Sequence, residues 1–413
     1  MSAYRGQMGT WPKLKPNAPG ELVNTSGSEW LPAASALPVH YEGDAYLPRA
    51  LPATADAGSL IAAAWPDVEA ANNALVSLDG TAENLPNPHL LANPFRIREA
   101  QASSRIENTI ASAEEVALAE LGESRSDDSV EVRYYITALE GGLRSEQTLA
   151  QPLLRSMHQA LLSGGARGAD KRPGDYRIGQ AYIEGDRKGF SHARFVPPPT
   201  EHVQSCMDQL DAFLTQESPA FPRIMQAALV HYQFETIHPF ADGNGRLGRM
   251  LIILQLCRSG LLRRPLIDIS SFLDAHRDTY FDLLLDVSLE GNWLTWIQFF
   301  CRGVAHQARE ARLRVRVLLD LRREYIDLVT EPRASALLRE LVDWLFSRPA
   351  IKTVQVASHL GIRHQAAQRH VDRLVEKGIL REITGGNYDR TYLAHGIINA
   401  IERVVEPPPG DPP

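Results

Sequence analysis

Apolar residues recur at three- and four-residue spacing through most of this chain, the period of an α-helix with one buried face. The pattern predicts helices over 58–77, 94–122, 129–140, 146–163, 200–215 and 221–236, then over 274–285, 293–307 and 308–329. Leu247, Leu251 and Leu254 keep the same period, so a further helix opens just before them. Leu85-Pro86-Asn87-Pro88-His89 separates the first two helices, and 164–174 reads as a loop. Two β-prone runs interrupt the helical pattern, 177–183 and 192–196. The turn-rich linker between them begins Glu184-Gly185-Asp186-Arg187-Lys188-Gly189, and Pro197-Pro198-Pro199 ends the second. They predict one β-hairpin. Residues 1–55 are rich in Pro, Gly, Ser and Ala with little periodicity, and read as an irregular arm wrapping the core. The fold class is mainly α.

The C-terminal part reads as a separate module. One amphipathic helix covers 334–346. Residues 353–362 resemble the first helix and turn of a helix-turn-helix, 365–377 the recognition helix, and 378–392 two strands around a Gly-Gly turn, a wing. From Arg348 to His395 there are eight Lys/Arg against four Asp/Glu. That excess makes DNA a candidate partner through Arg363, Gln365, Gln368 and Arg369 at the recognition helix. The alternative is a packing or homodimerisation module. Residues 405–413 read as a disordered tail.

Composition narrows the class. Forty-three basic against fifty acidic residues among 413 give net −7, which argues against a protein that coats nucleic acid along its whole surface. Cys206, Cys257 and Cys301 lack disulfide or metal spacing. No apolar run is long enough to span a bilayer, and no secretory leader follows Met1, so the expected location is the cytoplasm, without a membrane partner.

The chemistry concentrates in His238-Pro239-Phe240-Ala241-Asp242-Gly243-Asn244-Gly245-Arg246-Leu247-Gly248-Arg249. Gly243 and Gly245 tolerate positive φ, so their backbone N–H groups can turn inward as an anion nest at a helix N-terminus. Asp242 can hold Mg²⁺ between phosphate oxygens. Arg246 and Arg249, three apart, project over one helical turn, where guanidinium groups suit phosphate. His238 can accept a hydroxyl proton near neutral pH. An EF-hand is excluded because Arg246, Leu247 and Ile253 fall at its fifth, sixth and twelfth positions. A Walker A loop is excluded because no Lys-Ser/Thr follows the glycines.

This string resembles the signature of the Fic family, His-Pro-Phe-x-Asp/Glu-Gly-Asn-Gly-Arg-x-x-Arg, at every fixed position. The resemblance implies a helical bundle with a β-hairpin flap that clamps a target protein, and transfer of AMP from ATP to a Ser, Thr or Tyr hydroxyl. It assigns His238 as general base and Phe240 as the ring that fixes the loop. Asp242 becomes the ligand of Mg²⁺ or Mn²⁺. Asn244 joins the backbone N–H groups of Gly243 and Gly245 at the α-phosphate, and Arg246 and Arg249 hold the β- and γ-phosphates. Tyr280 either lines the adenine pocket or packs in the core. Upstream, Ser103-Ser104-Arg105-Ile106-Glu107-Asn108 resembles the family's inhibitory motif, in which Glu107 would pair with Arg249 and displace the γ-phosphate.

The expected organisation follows: an arm over 1–55, a helical region over 56–140 with an inhibitory helix at about 99–111, a catalytic core over 141–307, a connecting helix over 308–333, a winged-helix domain over 334–404 and the tail. The leading reading is a self-inhibited protein adenylyltransferase. Two others stand beside it: removal of AMP at the same site with Glu107 positioning water, and a DNA-binding regulator that senses nucleotide.

Overall fold

The computed structural model describes residues 13–29, 39–52, 56–83, 91–123, 126–164, 168–185, 189–216, 220–330, 336–385 and 389–405. In chain order the elements are β1 (Gly20–Glu29), β2 (Val39–Pro48), α1 (Ala57–Glu83), α2 (Ala92–Ile106), α3 (Ala113–Glu120), α4 (Asp127–Arg144), α5 (Gln151–Leu161), β3 (Ile183–Glu184), β4 (Ala193–Phe195), α6 (Thr200–Leu214), α7 (Arg223–Ile237) and α8 (Asn244–Arg258). They continue with α9 (Ile269–Ala275), α10 (Arg277–Glu290), α11 (Trp293–Val329), α12 (Ala336–Ser347), β5 (Ala350–Lys352), α13 (Thr353–Leu360), α14 (His364–Glu376), β6 (Arg381–Glu382), β7 (Thr391–Leu393) and α15 (His395–Glu402). The expected break at 85–89 and the end of the tail, 406–413, lie outside the described residues. No described helix is long and apolar enough to cross a membrane.

The chain divides into two compact units. The first holds residues 1–70, 138–256 and 276–302. Its centre is the pair α7 and α8, apolar on nearly every side, as helices enclosed by others must be. Residues 246–256 of α8 are all buried. Trp296 is fully buried and donates from its indole to the Ala228 carbonyl at 3.0 Å. Tyr232 and Ser288 join hydroxyls at 2.9 Å.

The arm is more ordered than its composition predicts. β1 and β2 form an antiparallel hairpin in register from Gly20 opposite Pro48 to Glu29 opposite Val39. No apolar alternation marks it in the sequence: its buried positions include Thr25 and the neighbours Ala45 and Tyr46, not a run of Val or Ile on one face. Ahead of it, the Lys15 amide donates to the Leu289 carbonyl at 2.8 Å, so the arm does lie along the core of this unit.

The second unit holds 71–137, 257–275 and 303–413. The expected helix over 94–122 is two helices. Asn108 turns left-handed at φ 63°, and Ser112 restarts the chain with a capping box, its hydroxyl accepting from the Glu115 amide while Glu115 accepts from the Ser112 amide. α2 packs on α9, anchored by buried Glu99, which accepts from the Tyr135 hydroxyl at 2.8 Å and the Ser270 amide at 3.0 Å. In the C-terminal module β5, β7 and β6 make a three-stranded antiparallel sheet in that order, beside α12, α13 and α14. β5 and α15 were not legible as elements in the sequence.

Candidate active site

The signature loop begins where α7 fails to continue. His238 sits at φ 50° and ψ 60°, left-handed, which an L-residue other than Gly adopts at a cost of roughly 1–2 kcal/mol. Its Nδ1 lies 3.3 Å from the Glu235 carbonyl. A carbonyl only accepts, so this contact places the proton on Nδ1 and leaves Nε2 as the acceptor. Gly243 makes the second left-handed turn, at φ 77°. Gly245, expected to turn as well, is helical within α8; the positive φ it was to supply belongs to His238 instead.

Asn244 shapes the loop. Its Oδ1 accepts from the Phe240 amide at 2.9 Å and its Nδ2 donates to the Phe240 carbonyl at 2.8 Å. These bonds tie its amide to the backbone four residues earlier. The first turn of α8 presents N–H groups ahead of its first intrahelical bond, from the Leu247 amide to the Gly243 carbonyl, the arrangement that suits an anion.

Asp242 lies beside that turn. Its Oδ1 accepts from the Gly243 amide at 2.6 Å, and Arg246 reaches the same oxygen at 3.4 Å. Its side chain keeps 35% of its exposure. Gly168 packs closely against the other oxygen: a Cβ there would come 2.7 Å from Oδ2. One partly accessible carboxylate suits a Mg²⁺ completed by phosphate oxygens and water. Arg246 and Arg249 are each 1% exposed. Buried guanidinium groups need anionic or polar partners, and Arg246 meets Asp242 here.

Two side chains outside the signature hold this loop, and neither stands out in the sequence. His158 of α5 stacks on Phe240 with ring centroids 3.8 Å apart. Its Nδ1 accepts from the Gly174 amide at 2.8 Å, so its Nε2–H donates to the Asp242 carbonyl at 2.9 Å. Burial lowers its pKa to about 4, so the imidazole is neutral at physiological pH. Arg177, 4% exposed, donates Nε–H to the His238 carbonyl at 2.9 Å, and its backbone amide donates to the Pro239 carbonyl at 2.9 Å. The expected hairpin is present but short: Ile183 pairs with Phe195 and Glu184 with Ala193. β1 and β2 back it, with Tyr41 stacked on Phe190 at 4.4 Å and the Tyr46 amide on the Val196 carbonyl at 2.9 Å.

Comparison with known proteins agrees with this geometry. Residues 148–256 match the Fic/DOC family, and residues 65–144 match the Fic/DOC family N-terminal region. The chain carries a Fic domain over residues 148–256. Over 127 residues it is 32% identical to the protein adenylyltransferase Fic of Aedes aegypti, covering 30% of this chain and 22% of that protein. Over 103 residues it is 31% identical to a probable protein adenylyltransferase of Aquifex aeolicus, covering 25% of this chain and 32% of that one. The chain thus spans about a fifth to a third of the length of these curated relatives. A Fic family protein from Desulfovibrio desulfuricans G20 shares the fold, with a TM-score of 0.51 at 20% identity over 80% of this chain and 96% of its own.

The remaining expected residues fall around this Fic domain as follows. Tyr280 is fully buried; its hydroxyl meets His231 Nε2 at 2.8 Å, while His231 Nδ1 meets the Gly248 carbonyl at 3.0 Å. Of its two expected roles, core packing describes this placement. In the second unit Ser103 is buried in α2, and Glu107 is the half-buried C-cap residue just after it. The helix expected to reach about 111 ends at Ile106, because Asn108 is left-handed. In the C-terminal module Arg363, Gln365 and Arg369 are exposed at the start of α14. Gln368, expected beside them at DNA, is instead bonded to Thr353, Asp372 and Tyr392.

Proposed function

We propose that this protein is an ATP-dependent protein adenylyltransferase restrained by its own Glu107. The observation that carries the reading is the 3.3 Å contact of His238 Nδ1 with the Glu235 carbonyl, which makes Nε2 the ring's accepting nitrogen at the start of the signature loop. A protein that only sensed nucleotide would need the phosphate donors but not this base. A Ser, Thr or Tyr hydroxyl of the target attacks the α-phosphorus of ATP, its proton passes to His238 Nε2, and the bond to the β-phosphate breaks to release pyrophosphate. The first turn of α8 and Arg246 and Arg249 hold the phosphates; β3–β4 offers an edge along which an extended target segment can pair. Asp242 would hold a Mg²⁺ or Mn²⁺, which neutralises phosphate charge when bound.

The support for restraint by Glu107 is the likeness of Ser103–Asn108 to the inhibitory motif, in which this carboxylate competes with the γ-phosphate for the second signature arginine. The test is initial labelling of whole-cell lysate with α-labelled ATP by wild type, His238→Ala, Glu107→Gly and the double mutant. His238→Ala is expected to lose labelling by about 10²–10⁴-fold while still binding ATP. Glu107→Gly is expected to gain at least about tenfold, since a misplacement near 1 Å costs roughly 10²-fold. Undiminished labelling by His238→Ala would remove the base assignment. A Glu107→Gly protein no faster than wild type, but unable to strip AMP from a modified target, would make Glu107 a hydrolytic residue.

A further inference from the structure

Arg177 is a buried cation whose direct partners are neutral. Among the described residues every hydrogen bond of its guanidinium goes to a carbonyl or a hydroxyl, and Glu201 favours its charge only through space. Keeping a charge inside on neutral acceptors is unfavourable, and burial outweighs Glu201 and lowers its pKa, to about 10. A Met or Leu would fill the space without that cost, so the geometry of the donors is what the position supplies.

The acceptors come from two places. On one side is the base: Nε–H reaches the His238 carbonyl, and the Arg177 amide reaches Pro239. On the other side are both roots of the flap. Nη1 donates to the Gly179 carbonyl at 3.1 Å, four residues before β3, and to the Thr200 hydroxyl at 3.3 Å. Nη2 donates to the Pro198 carbonyl, three residues after β4. The planar fork fixes these directions relative to one another, which a flexible ammonium would not do. His238 needs such a hold, because its left-handed backbone is disfavoured by itself.

We propose that Arg177 is a positioning residue that ties the flap's two roots to the general base, so that a target segment seated on β3–β4 and the Nε2 of His238 are held as one body. The proposal rests on the adenylyltransferase reading for its catalytic consequence, and on bond geometry alone for its structural one. Arg177 touches no reacting atom in this assignment. It sets the direction of His238, while ATP is held by the first turn of α8 and by Arg246 and Arg249. Loss of the fork should therefore lower kcat and leave the KM for ATP within about threefold; a 1 Å misplacement costs roughly 10²-fold in rate.

The experiment uses full-length protein labelled with ¹³Cε1-histidine. The His238 resonance is identified by its absence in His238→Ala, and the fully buried His231 serves as a reference for an intact core. Arg177→Lys keeps the charge and loses the fork. It is expected to shift or broaden the His238 resonance, to leave the His231 resonance in place and to cut kcat by about 10²-fold. Thr200→Val removes only one flap-side acceptor and is expected to shift the His238 resonance by less. An Arg177→Lys protein with unchanged His238 resonance and unchanged kcat overturns the proposal. If Arg177→Lys does not fold, Thr200→Val decides, and an unmoved His238 resonance there overturns it equally. Should wild type transfer no AMP, the resonances still judge the positioning role, and only the adenylyltransferase reading falls.

Discussion

Removing His158 costs the signature loop two bonds at once, because its ring accepts at one nitrogen and donates at the other; protonating it costs only the bond accepted from Gly174. His158→Phe keeps a ring to stack on Phe240 but strands the Gly174 N–H and the Asp242 carbonyl. A buried group left unpaired costs about 1–3 kcal/mol, so urea unfolding should show a loss of about 2 kcal/mol or more. A loss below about 0.5 kcal/mol would mean that water replaces the imidazole without penalty. At this scale the sequence offered candidates for the chemistry but not the side chains that support them. His238, Asp242, Arg246 and Arg249 are legible because their types at that spacing have few other uses. His158 and Arg177 are not, since a lone His on an apolar helix face and an Arg before a strand are common, and what matters is which carbonyls the fold brings to them. The bonds of Asn244 to Phe240 were hidden for the same reason: an amide beside two glycines suits a phosphate as well as it suits a backbone turn.

The end of α2 is set by one residue, and that makes it testable. Asn108 is left-handed at φ 63° and exposed, so its side chain contributes conformation more than packing. Asn108→Gly should leave stability within about 0.5 kcal/mol, whereas the β-branched Asn108→Val should cost roughly 1–2 kcal/mol in thermal unfolding. Equal melting temperatures for the two would show that the stop lies elsewhere. Such stops are where the sequence reading of elements failed. The run over 94–122 stays apolar-periodic through Asn108 and Ser112, and a single Asn does not announce a turn as Gly or Pro does. Conversely, α11 is one helix of 37 residues where two were expected, and β3 and β4 are shorter than their β-prone runs. Elements with a full buried face, such as α6, α7 and α14, came out within about two residues of the pattern, because burial of one stripe is what periodicity measures.

At the scale of the whole molecule, the two units should answer acid in opposite directions. In the first, burial lowers His158 to about 4 and His231 to about 3 from an ordinary 6.5. A depressed imidazole lends stability above its unfolded pKa and loses it as pH falls toward the folded one, here from about 6.5 to about 4 for His158 and about 3 for His231. Between pH 7.5 and 5 the two together withdraw on the order of 4 kcal/mol. In the second unit, burial raises Glu99 to about 7, against the hydrogen bonds from Ser270 and Tyr135 that favour its charge. A raised carboxyl lends stability below its unfolded pKa of about 4.5 and loses it as pH rises through about 7. Over the same drop in pH it therefore returns roughly 2 kcal/mol. Hydrogen exchange separates the two effects because each is read on its own peptides. On going from pH 7.5 to 5, corrected for intrinsic exchange, protection should fall in α5, α7 and α8 and hold or rise in α2 and α9. Parallel loss in both sets would mean that Glu99 is ionised in the folded protein at both pH values, with its hydrogen bonds outweighing burial.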